Sequence, residues 1–493
     1  MNTLLDALPA PARDSLLALH LFVWALLAAY GIHRLHLLRL FRSRSRVVRR
    51  PDPPAAWPRV TVQLPVYDER YVAERLLDAA AALDYPSDRL EIQVLDDSTD
   101  ATSDLVARKA VALRERGIDV VHLRRSSRDG FKAGALQNGL LHAKGELLAI
   151  FDADFVPPPS FLRDMVPYLN DPGVGMAQAR WRHLNQDFSV LAQAQAISLD
   201  GHFAIEHAAR AWGGRFFNFN GTAGILRKRC VEEAGGWQWD TLTEDLDLSY
   251  RAQLCGWRFV FASDVGCPAE LPVEMNAFKA QQYRWVKGSI QVARKALPTI
   301  WRSALPWRVK VEATFHLTTN VAYVLLLLVA LLAVPVVIAR IAARSLAFTI
   351  LDAALFLAAS IPAIVFFAVA QRETRRDWRR QLRFFPFVLS LGLGLAVNNT
   401  RAVLTGLWDG ASDFQRTPKF RIESRRDGWR GKRYKAPLNV WVALEIALGL
   451  YFAWAMLSLA HARVYGPLPF LALYLVGFLY VGLLSILHAA PRS

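Results

Sequence analysis

Two carboxylates one residue apart, Asp152 and Asp154, follow an apolar run of the kind that forms a buried strand. Carboxylate oxygens at this spacing can bind an octahedral Mg²⁺ or Mn²⁺, which keeps water and diphosphate oxygens as its other ligands. A single D-x-D triplet is weak evidence, because such triplets are frequent in turns and helix caps. A second acidic pair, Asp96 and Asp97, ends an earlier apolar run. Together the two pairs favour a site for a metal-bound nucleotide sugar.

Two further groups suit phosphate and acid–base chemistry. Lys132 opens a helical pattern and is either a point charge for a diphosphate oxygen or a solvated first-turn lysine, which the helix dipole disfavours. Glu244 and Asp245 follow Thr243, which we expect to cap the helix that begins there. A carboxylate held at a helix start can also face a pocket and act as a general base on an acceptor hydroxyl.

A third group, Gln281, Arg284 and Trp285, lies on an amphipathic pattern that precedes several long apolar runs. One interpretation is a helix on the inner leaflet of a membrane, with Trp285 and Arg284 at the headgroups. The other interpretation is an indole platform under a sugar ring. The residues by themselves leave both open.

Strand and helix signals alternate through the segment that would position these groups. Apolar, β-rich runs at residues 60–64, 92–95, 120–123 and 147–151 are separated by helical patterns. Repetition of strand, crossover helix and next strand predicts a parallel sheet covered on both faces. Ligands bind such sheets beyond the carboxyl ends of the strands, which is where the acidic pairs lie. We therefore expect the acids to meet at one edge of the sheet.

Long apolar runs indicate a membrane-spanning part, since crossing the hydrocarbon takes about 20 apolar residues. Five runs qualify, at residues 15–38, 317–339, 346–370, 438–460 and 468–487. The first run lacks the basic flank and the cleavage site of a signal peptide. We interpret it as a retained anchor with its N-terminus outside.

A sixth apolar run, at residues 384–407, does not fit an ordinary span. It carries glycines, two asparagines and Arg401, which a lipid-facing helix would hold poorly. If it crossed the membrane, the basic loop after it would lie outside, against the positive-inside rule. We predict an interfacial or re-entrant helix on the cytoplasmic face. Six ordinary spans are the alternative.

The net charge of +16 lies in three basic blocks, at residues 31–50, 371–383 and 409–437. Each block adjoins a long apolar run, as cytoplasmic flanks of membrane helices do, whereas a nucleic-acid groove would draw its basic residues from the folded domain. We therefore expect no nucleic-acid partner, and we place residues 40–310 on the cytoplasmic side of the cell (inner) membrane. Three cysteines without a C-x-x-C pair exclude a disulfide framework and a zinc knuckle.

Four motifs carry a resemblance to a known family. They are Q-V-L-D-D-S-T-D at residues 93–100, F-K-A-G-A-L at 131–136, A-I-F-D-A-D-F at 149–155 and F-N-G-T-A-G at 219–224. The chain resembles the processive, inverting family 2 glycosyltransferases, and most of all the cellulose-synthase-like A mannan synthases of plants and their bacterial relatives. The resemblance implies an α/β GT-A cytoplasmic domain, Rossmann-like with a mostly parallel sheet, joined to an α-helical multi-pass membrane domain.

The resemblance and the apolar runs together divide the chain into six parts. These are an N-terminal transmembrane anchor (1–40), the cytoplasmic GT-A domain (41–273), amphipathic interfacial helices with the Q-x-x-R-W motif (274–310), two transmembrane helices (311–371), an interfacial helix with a cytoplasmic gating-type loop (372–437) and two further transmembrane helices (438–493).

The resemblance also implies roles for individual residues. Asp245, with Glu244 beside it, would be the catalytic base, and Asp152 and Asp154 would hold the metal. The nucleotide sugar would contact Pro65, Tyr67, Glu69, Asp96, Asp97, Lys132, Asp152 and Arg284. The acceptor would contact Asn220, Gly221, Thr222, Gln281 and Trp285, and the gating loop would contain Phe414, Thr417 and Lys419. One departure is Asp68, where relatives usually have asparagine in the P-x-Y-N-E motif, and it leaves the donor open.

The implied activity is inverting transfer of a hexose from GDP-mannose or UDP-glucose by a membrane-integrated enzyme, with Mg²⁺ or Mn²⁺ as cofactor. The product would be a β-linked polysaccharide that passes across the membrane. The expected partners are then the donor, the growing polysaccharide and membrane lipids. The alternative is non-processive transfer of a single sugar to a membrane lipid, as in ceramide glucosyltransferases.

Overall fold

A computed structural model describes residues 9–44, 50–343, 345–408, 416–432, 434 and 437–489 of the chain. Between the first long helix and Ala269 the chain forms an α/β domain, and most of the remainder is helical. The strands are β1 Val60–Val66, β2 Leu90–Asp96, β3 Val120–Arg124, β4 Leu147–Ile150, β5 Val174–His183, β6 Gly224–Arg227 and β7 Arg258–Ala269.

The strands form one seven-stranded sheet in the order β3-β2-β1-β4-β6-β5-β7. The first four strands pair in parallel, as the sequence predicts, and β7 is parallel to β5. β6 is antiparallel to both of its neighbours, so the sheet is mixed. The chain moves outward from β1 to β3 and then returns to place β4 on the other side of β1. This reversal opens a crevice at the carboxyl ends of β1 and β4, where ligands bind in such sheets.

β1 and β2 are buried along nearly their whole length because they lie in the middle of a covered sheet. Each strand nevertheless carries polar side chains, and the register pairs them. Thr61 Oγ1 donates to Glu91 Oε2 at 2.6 Å, and Gln63 Nε2 donates to Gln93 Oε1 at 3.1 Å. These bonds give partners to buried polar atoms, and a shifted register would break both at once.

Helices cover the sheet and form the apolar part of the chain. Up to the end of the α/β domain they are α1 Ala10–Arg44, α2 Ala73–Ala81, α3 Thr102–Glu115, α4 Phe131–His142, α5 Phe161–Met165, α6 Val190–Gly201, α7 Ala208–Trp212, α8 Lys228–Glu233 and α9 Glu244–Leu254. They continue as α10 Met275–Arg302, α11 Trp307–Thr318, α12 Ala322–Ala343, α13 Leu346–Thr374, α14 Trp378–Gln381, α15 Phe385–Gly394, α16 Ala396–Trp408, α17 Val442–His461 and α18 Leu468–Ala489. Short 3₁₀ turns lie at Ser87–Arg89, Val166–Leu169, Thr319–Val321 and Leu382–Phe384, and a π-helical turn, His202–His207, joins α6 to α7.

Among the residues that the structure describes, five helical segments are long and apolar enough to cross a membrane. They are Ala10–Ser43, Trp307–Ala343, Leu346–Thr374, Val442–His461 and Leu468–Ala489. Each coincides with one of the five apolar runs of the sequence, which confirms the prediction of a multi-pass membrane protein. The first segment is an integral part of the bundle, because α1 packs along α12 and α13.

The sixth apolar run is not one straight helix. It forms α15 and α16, which meet at Leu395 with a bend of 44°. The amide of Asn398 is buried inside the protein and donates to the Lys279 carbonyl at 3.0 Å. Gly394 lies so close to α18 that a Cβ would be 2.2 Å from the Gly477 carbonyl oxygen. A bent pair of this kind is either a broken span or a re-entrant segment, and its interfacial or re-entrant placement stays a prediction.

Cysteine labelling distinguishes five spans from six. With five spans, exposed residues Ser424 and Ser43 face the cytoplasm, and Gly466 between α17 and α18 faces outside. In a background where the exposed Cys255 is replaced by serine, we expect cysteines at positions 424 and 43 to react only with membrane-permeant reagents. The cysteine at 466 should react with impermeant ones. With six spans, positions 424 and 466 would exchange their labelling behaviour.

Candidate active site

The crevice at the carboxyl ends of β1 and β4 is an open cleft. Side chains from the sheet edge, α4, the start of α9, α10 and the segment after α16 meet there. The predicted site residues that line it are Pro65, Tyr67, Glu69, Asp97, Lys132, Asp152, Asp154, Asn220, Gly221, Glu244, Asp245, Gln281, Arg284, Trp285, Thr417 and Lys419. Phe414 lies outside the described residues.

The two carboxylates of the D-x-D triplet lie just beyond β4, and each is paired with a lysine. Lys132 Nζ lies 2.5 Å from Asp152 Oδ1, and Lys419 Nζ lies 2.5 Å from Asp154 Oδ2. Acids packed this closely in a buried site repel each other unless cations lie among them. The lysine pairs therefore stabilise the acidic edge of the sheet.

Lys132 lies in the first turn of α4 and reaches into the cleft. Its Nζ also donates to the Gly221 carbonyl at 2.9 Å and lies 3.9 Å from Glu244 Oε1. Burial opposes its charge, but the carboxylates of Asp152 and Glu244 outweigh burial and raise the pKa of Lys132 above its ordinary value. The lysine is thus a cation held inside the site, rather than a solvated residue of the helix surface.

Position 221 requires a glycine because of its backbone conformation and because two side chains lie close to its Cα. Its φ of +77° lies in the left-handed region that favours glycine. A Cβ at this position would lie 2.9 Å from Asp245 Oδ2 and 3.3 Å from Lys132 Nζ. The glycine of the F-N-G-T-A-G motif therefore lets the loop pass beside the lysine and the carboxylate without displacing either.

Asp245 and Glu244 occupy the first turn of α9 and face the cleft. Burial raises the pKa of Asp245 to about 7, and the neighbouring charge of Glu244 adds to the shift. Burial also raises the pKa of Glu244. The Leu246 backbone N–H donates to Asp245 Oδ1 at 2.8 Å and orients the carboxylate. A carboxylate with a pKa near neutrality is suited to accept a proton from a hydroxyl group.

Thr243 does not cap α9 with its side chain, so that prediction is wrong. The residue lies at the N-cap position, but its side chain makes no capping hydrogen bond, and within the described chain its Oγ1 is buried without a partner. Thr243 instead packs against Gly288 of α10, where a Cβ would lie 2.5 Å from the threonine side chain. The close contact between α9 and α10 takes precedence over the local cap.

The Q-x-x-R-W residues of α10 line the cleft beside the apolar helices. Arg284 Nη2 donates to Thr417 Oγ1 at 3.0 Å, and burial lowers the pKa of Arg284 to about 10. The indole of Trp285 lies near that of Trp181, with ring centroids 6.5 Å apart. Because Trp285 is part of the cleft wall, this geometry favours a sugar platform over a headgroup anchor.

Residues 416–420 lie against the cleft without regular secondary structure. Lys419 Nζ donates to the Glu270 carbonyl at 2.8 Å, and the Phe420 backbone N–H donates to Glu270 Oε1 at 2.8 Å. Thr417 and Lys419 are both buried. The two described residues of the predicted gating loop therefore reach the site and are anchored to the end of β7.

Two predicted ligands, Asp96 and Thr222, lie behind the cleft and not in its wall. Asp96 is 1 % exposed, and its carboxylate accepts from the Ser98 backbone N–H at 2.8 Å and pairs with His122 Nε2 at 2.9 Å. Successive residues of a strand point to opposite sides, so only one residue of the acidic pair can face the cleft. Thr222 is fully buried, and its Oγ1 accepts from the Asp152 backbone N–H at 2.9 Å. Both residues position their neighbours.

Arg125, Arg128 and Trp181 are among the residues near the cleft that the sequence did not predict. Arg125 binds both oxygens of Asp97, with Nε–Oδ1 at 3.0 Å and Nη2–Oδ2 at 2.5 Å. Arg128 and Trp181 line the cleft itself. The signal for the arginines was a cluster of basic residues directly after β3, at the same edge as the acidic pairs. Trp181 stands in no motif, and only the packing reveals it.

The D-x-D carboxylates fit a hard divalent cation. Among the described residues, no group of three or more His, Cys, Asp or Glu side chains is arranged to hold a metal ion. Two carboxylates suit Mg²⁺ or Mn²⁺, which take further ligands from water and diphosphate, and do not suit Zn²⁺, which takes three or four protein ligands. In this structure each of the two carboxylates is paired with a lysine ammonium group.

Known proteins share this domain. Residues 58–288 match the family model described as Glycosyltransferase like family 2. The chain is 42% identical over 265 residues to probable glucomannan 4-beta-mannosyltransferase 15 of Arabidopsis thaliana, covering 53% of this chain and 49% of that protein. It is 44% identical over 252 residues to glucomannan 4-beta-mannosyltransferase 2 of the same plant, covering 50% and 47%. The chain thus spans about half the length of the curated relatives it matches.

A solved structure has a similar fold. It is the mannosyltransferase PcManGT from Pyrobaculum calidifontis in complex with GDP-Man and Mn²⁺, with a TM-score of 0.53 and 24% identity. The match covers 80% of this chain and 99% of that one. Together with the family model, this likeness confirms the GT-A-like fold and the predicted resemblance to family 2 glycosyltransferases.

Replacing Gly221 by alanine tests the close approach in the F-N-G-T-A-G loop. Gly117→Ala is the matched control, because Gly117 also has a positive φ, +82°, but has open space at its Cβ position. Both variants should lose about 1–2 kcal/mol of stability from the left-handed backbone, seen as similar decreases in Tm. Only Gly221→Ala should also lose roughly tenfold or more of its transfer activity, since its methyl displaces Asp245 or Lys132. Equal activity of the two variants would contradict this geometry.

Proposed function

We propose that the protein is a membrane-embedded, inverting mannosyltransferase that uses GDP-mannose and a divalent cation to extend a β-linked glycan. The cleft carries this proposal, because it gathers a buried carboxylate, Asp245, a lysine, a D-x-D pair and a tryptophan beside the apolar helices. The named Arabidopsis relatives are glucomannan 4-beta-mannosyltransferases, and the fold neighbour was solved with GDP-Man and Mn²⁺. These names favour GDP-mannose over UDP-glucose as the donor.

The proposed reaction is a single displacement. Asp245 takes the proton from an acceptor hydroxyl, the hydroxyl oxygen bonds to the anomeric carbon, and the bond from that carbon to the diphosphate oxygen breaks. Attack and departure on opposite faces invert the configuration, so an α-linked donor gives a β-linked product. One base is enough for this step, whereas a covalent intermediate would need a second carboxylate as nucleophile.

Departure of the nucleoside diphosphate needs positive charge at its oxygens. Lys132 and Arg284 supply that charge from α4 and α10, and hydrogen bonds hold both of them inside the cleft. Asp152 and Asp154 would hold Mg²⁺ or Mn²⁺, which supplies a Lewis acid to the diphosphate when bound. Cations fixed in place in this way stabilise charge as it develops in the transition state.

The acceptor is proposed to lie at the end of the cleft formed by Trp181 and Trp285. A sugar ring presents an apolar face of C–H groups that packs on an indole. Gln281 and Asn220 line the same cleft and offer amide groups to sugar hydroxyls. Because α10 packs along α16 and is followed by α11, a glycan that leaves this end of the cleft meets the helical part of the chain.

The α/β domain is proposed to face the cytoplasm at the cell (inner) membrane. The basic blocks at residues 31–50 and 371–383 begin within the C-terminal parts of α1 and α13 and continue beyond them, on the side of the bundle that the positive-inside rule assigns to the cytoplasm. A hydroxyl-rich chain cannot cross lipid unaided, since each unpaired polar group costs on the order of 2–7 kcal/mol there. Membrane helices fused to the enzyme would provide the route.

The pH dependence of transfer tests Asp245 as the base. Its pKa of about 7 means that the carboxylate is protonated below that pH, so kcat/KM should fall as the pH decreases through about 7. Glu244→Gln removes a negative charge that raises the pKa of Asp245, and should move this acid limb to lower pH. Asp245→Asn should lower transfer by at least ~10²-fold and leave donor affinity nearly unchanged.

Two results would assign the base elsewhere. One is an acid limb that stays in place in Glu244→Gln. The other is a donor affinity that falls in step with the rate in Asp245→Asn, since that would put the carboxylate in the donor site. Donor affinity is measured by calorimetry with GDP-mannose in the absence of acceptor, so that transfer does not disturb it.

Product length separates a polymer synthase from an enzyme that adds one sugar to a lipid. With labelled GDP-mannose, the purified chain in nanodiscs should make polymer. Trp285→Ala should make short products or none and bind GDP as before, because losing an aromatic contact weakens acceptor binding by about 1–3 kcal/mol. Trp301→Ala is the matched control, since Trp301 is on the same helix but 51% exposed and outside the cleft.

The control variant should make full-length product. A wild-type product with one mannose per lipid would establish lipid glycosylation as the activity. Full-length polymer from Trp285→Ala would instead support polymer synthesis and contradict the role of the Trp285 indole as a sugar platform.

A further inference from the structure

One end of the cleft contains a cation that is paired with no carboxylate of the described chain. Arg128 lies in the loop between β3 and α4 and lines the cleft. Its guanidinium makes no hydrogen bond or ion pair with any described residue, and its Nε is buried without a partner. Nearby, Arg125 is paired with Asp97. The N–H groups of the Arg128 guanidinium can therefore form charge-assisted hydrogen bonds with a ligand in the cleft.

Aromatic rings fix how Arg128 faces the cleft. Its Cζ lies 3.4 Å from the centre of the Tyr67 ring and 4.9 Å from the centre of the Phe131 ring. Stacking on aromatic rings uses the flat face of a guanidinium. Its N–H groups lie in the guanidinium plane and form a rigid fork that binds a ligand edge-on. The rings therefore hold a planar fork of donors at the cleft wall.

The order of the strands places Arg128 away from the reacting end. Arg128 stacks on Tyr67, which follows β1, and the neighbouring Arg125 binds Asp97, which follows β2. Asp152 follows β4, on the other side of β1, and pairs with Lys132. The diphosphate and the sugar of the donor belong near Asp152, because the D-x-D pair and the catalytic base Asp245 are there. Arg128 consequently meets the part of the donor farthest from the sugar, which is the nucleobase.

We propose that Arg128 selects guanine as the base of the donor by donating two hydrogen bonds to guanine O6 and N7. Guanine presents these two acceptors side by side, and a guanidinium fork binds both at once. The corresponding edge of uracil has one acceptor, and that of adenine has an acceptor beside an amino donor. The inference rests on the proposed function, because it names the residue that gives the donor site its preference for GDP-mannose.

Nucleotide analogues test this contact atom by atom. The compound 7-deaza-GDP lacks N7 and keeps the rest of GDP, so it removes one of the two acceptors. Calorimetry on the full chain in nanodiscs with Mn²⁺ should show GDP binding roughly tenfold more tightly than 7-deaza-GDP. Arg128→Lys keeps the charge and loses the fork. It should bring the two affinities to within about twofold and leave UDP binding unchanged.

A control in the same region separates recognition from structure. Arg124 ends β3, and its side chain is 56% exposed and outside the cleft. Arg124→Lys should keep the wild-type ratio of GDP to 7-deaza-GDP affinity. Thermal unfolding shows whether Arg128→Lys is folded, and Arg128→Gln, which is neutral and planar, gives a second variant in which the same ratio should collapse.

Four results would overturn the inference. Equal binding of GDP and 7-deaza-GDP by the wild type, or a preference that survives in Arg128→Lys, would remove base recognition and leave transfer from GDP-mannose intact. If Arg128→Lys weakened the binding of GDP, 7-deaza-GDP and UDP equally, Arg128 would contact the diphosphate and not the nucleobase. A wild type that binds UDP and not GDP would contradict the proposed donor itself, and this failure is visible before any variant is made.

Discussion

The need to match buried carboxylates with cations organises the site and much of the chain around it. Carboxylates gather at the carboxyl ends of β1 and β4, where ligands bind in a sheet of this topology. Burial makes their charge costly, and the raised pKa of Asp245 reports that cost. The cations come from elsewhere: Lys132 from α4, Arg284 from α10 and Lys419 from the segment after α16. Electrostatic matching therefore draws three distant parts of the chain to one edge of the sheet.

The same matching couples the α/β domain to the apolar helices. The segment that carries Lys419 is anchored on Glu270 at the end of β7, and α10 packs along α16. A buried ion pair between Lys279 of α10 and Glu445 of α17, at 2.6 Å, extends the connection into the helical bundle. Removing one partner of such a pair leaves a buried charge and is strongly destabilising.

Local patterns were enough to predict the parallel half of the sheet and most of the cleft. Apolar runs that end in acids located β1, β2 and β4, and the shared edge of parallel strands brought Asp97, Asp152 and Asp154 together as expected. The predictions failed where a neighbour distant in sequence decides the outcome. Thr243 is a good capping residue by type, but it packs against Gly288 instead. The antiparallel β6 was missed because four residues carry too little periodicity to reveal a partner strand.

By itself, the sequence determined which chemistry was available: hard oxygen ligands in a D-x-D triplet, an indole, several cations and five runs long enough to cross lipid. Residue type and short-range spacing carry that information. Only the tertiary structure decided which groups meet and in what state. It paired Asp154 with Lys419, turned Asp96 away from the cleft, raised the pKa of Asp245 and set Arg128 against an aromatic ring. Burial and charge at each of these positions depend on residues far apart in the chain, and no local pattern encodes them.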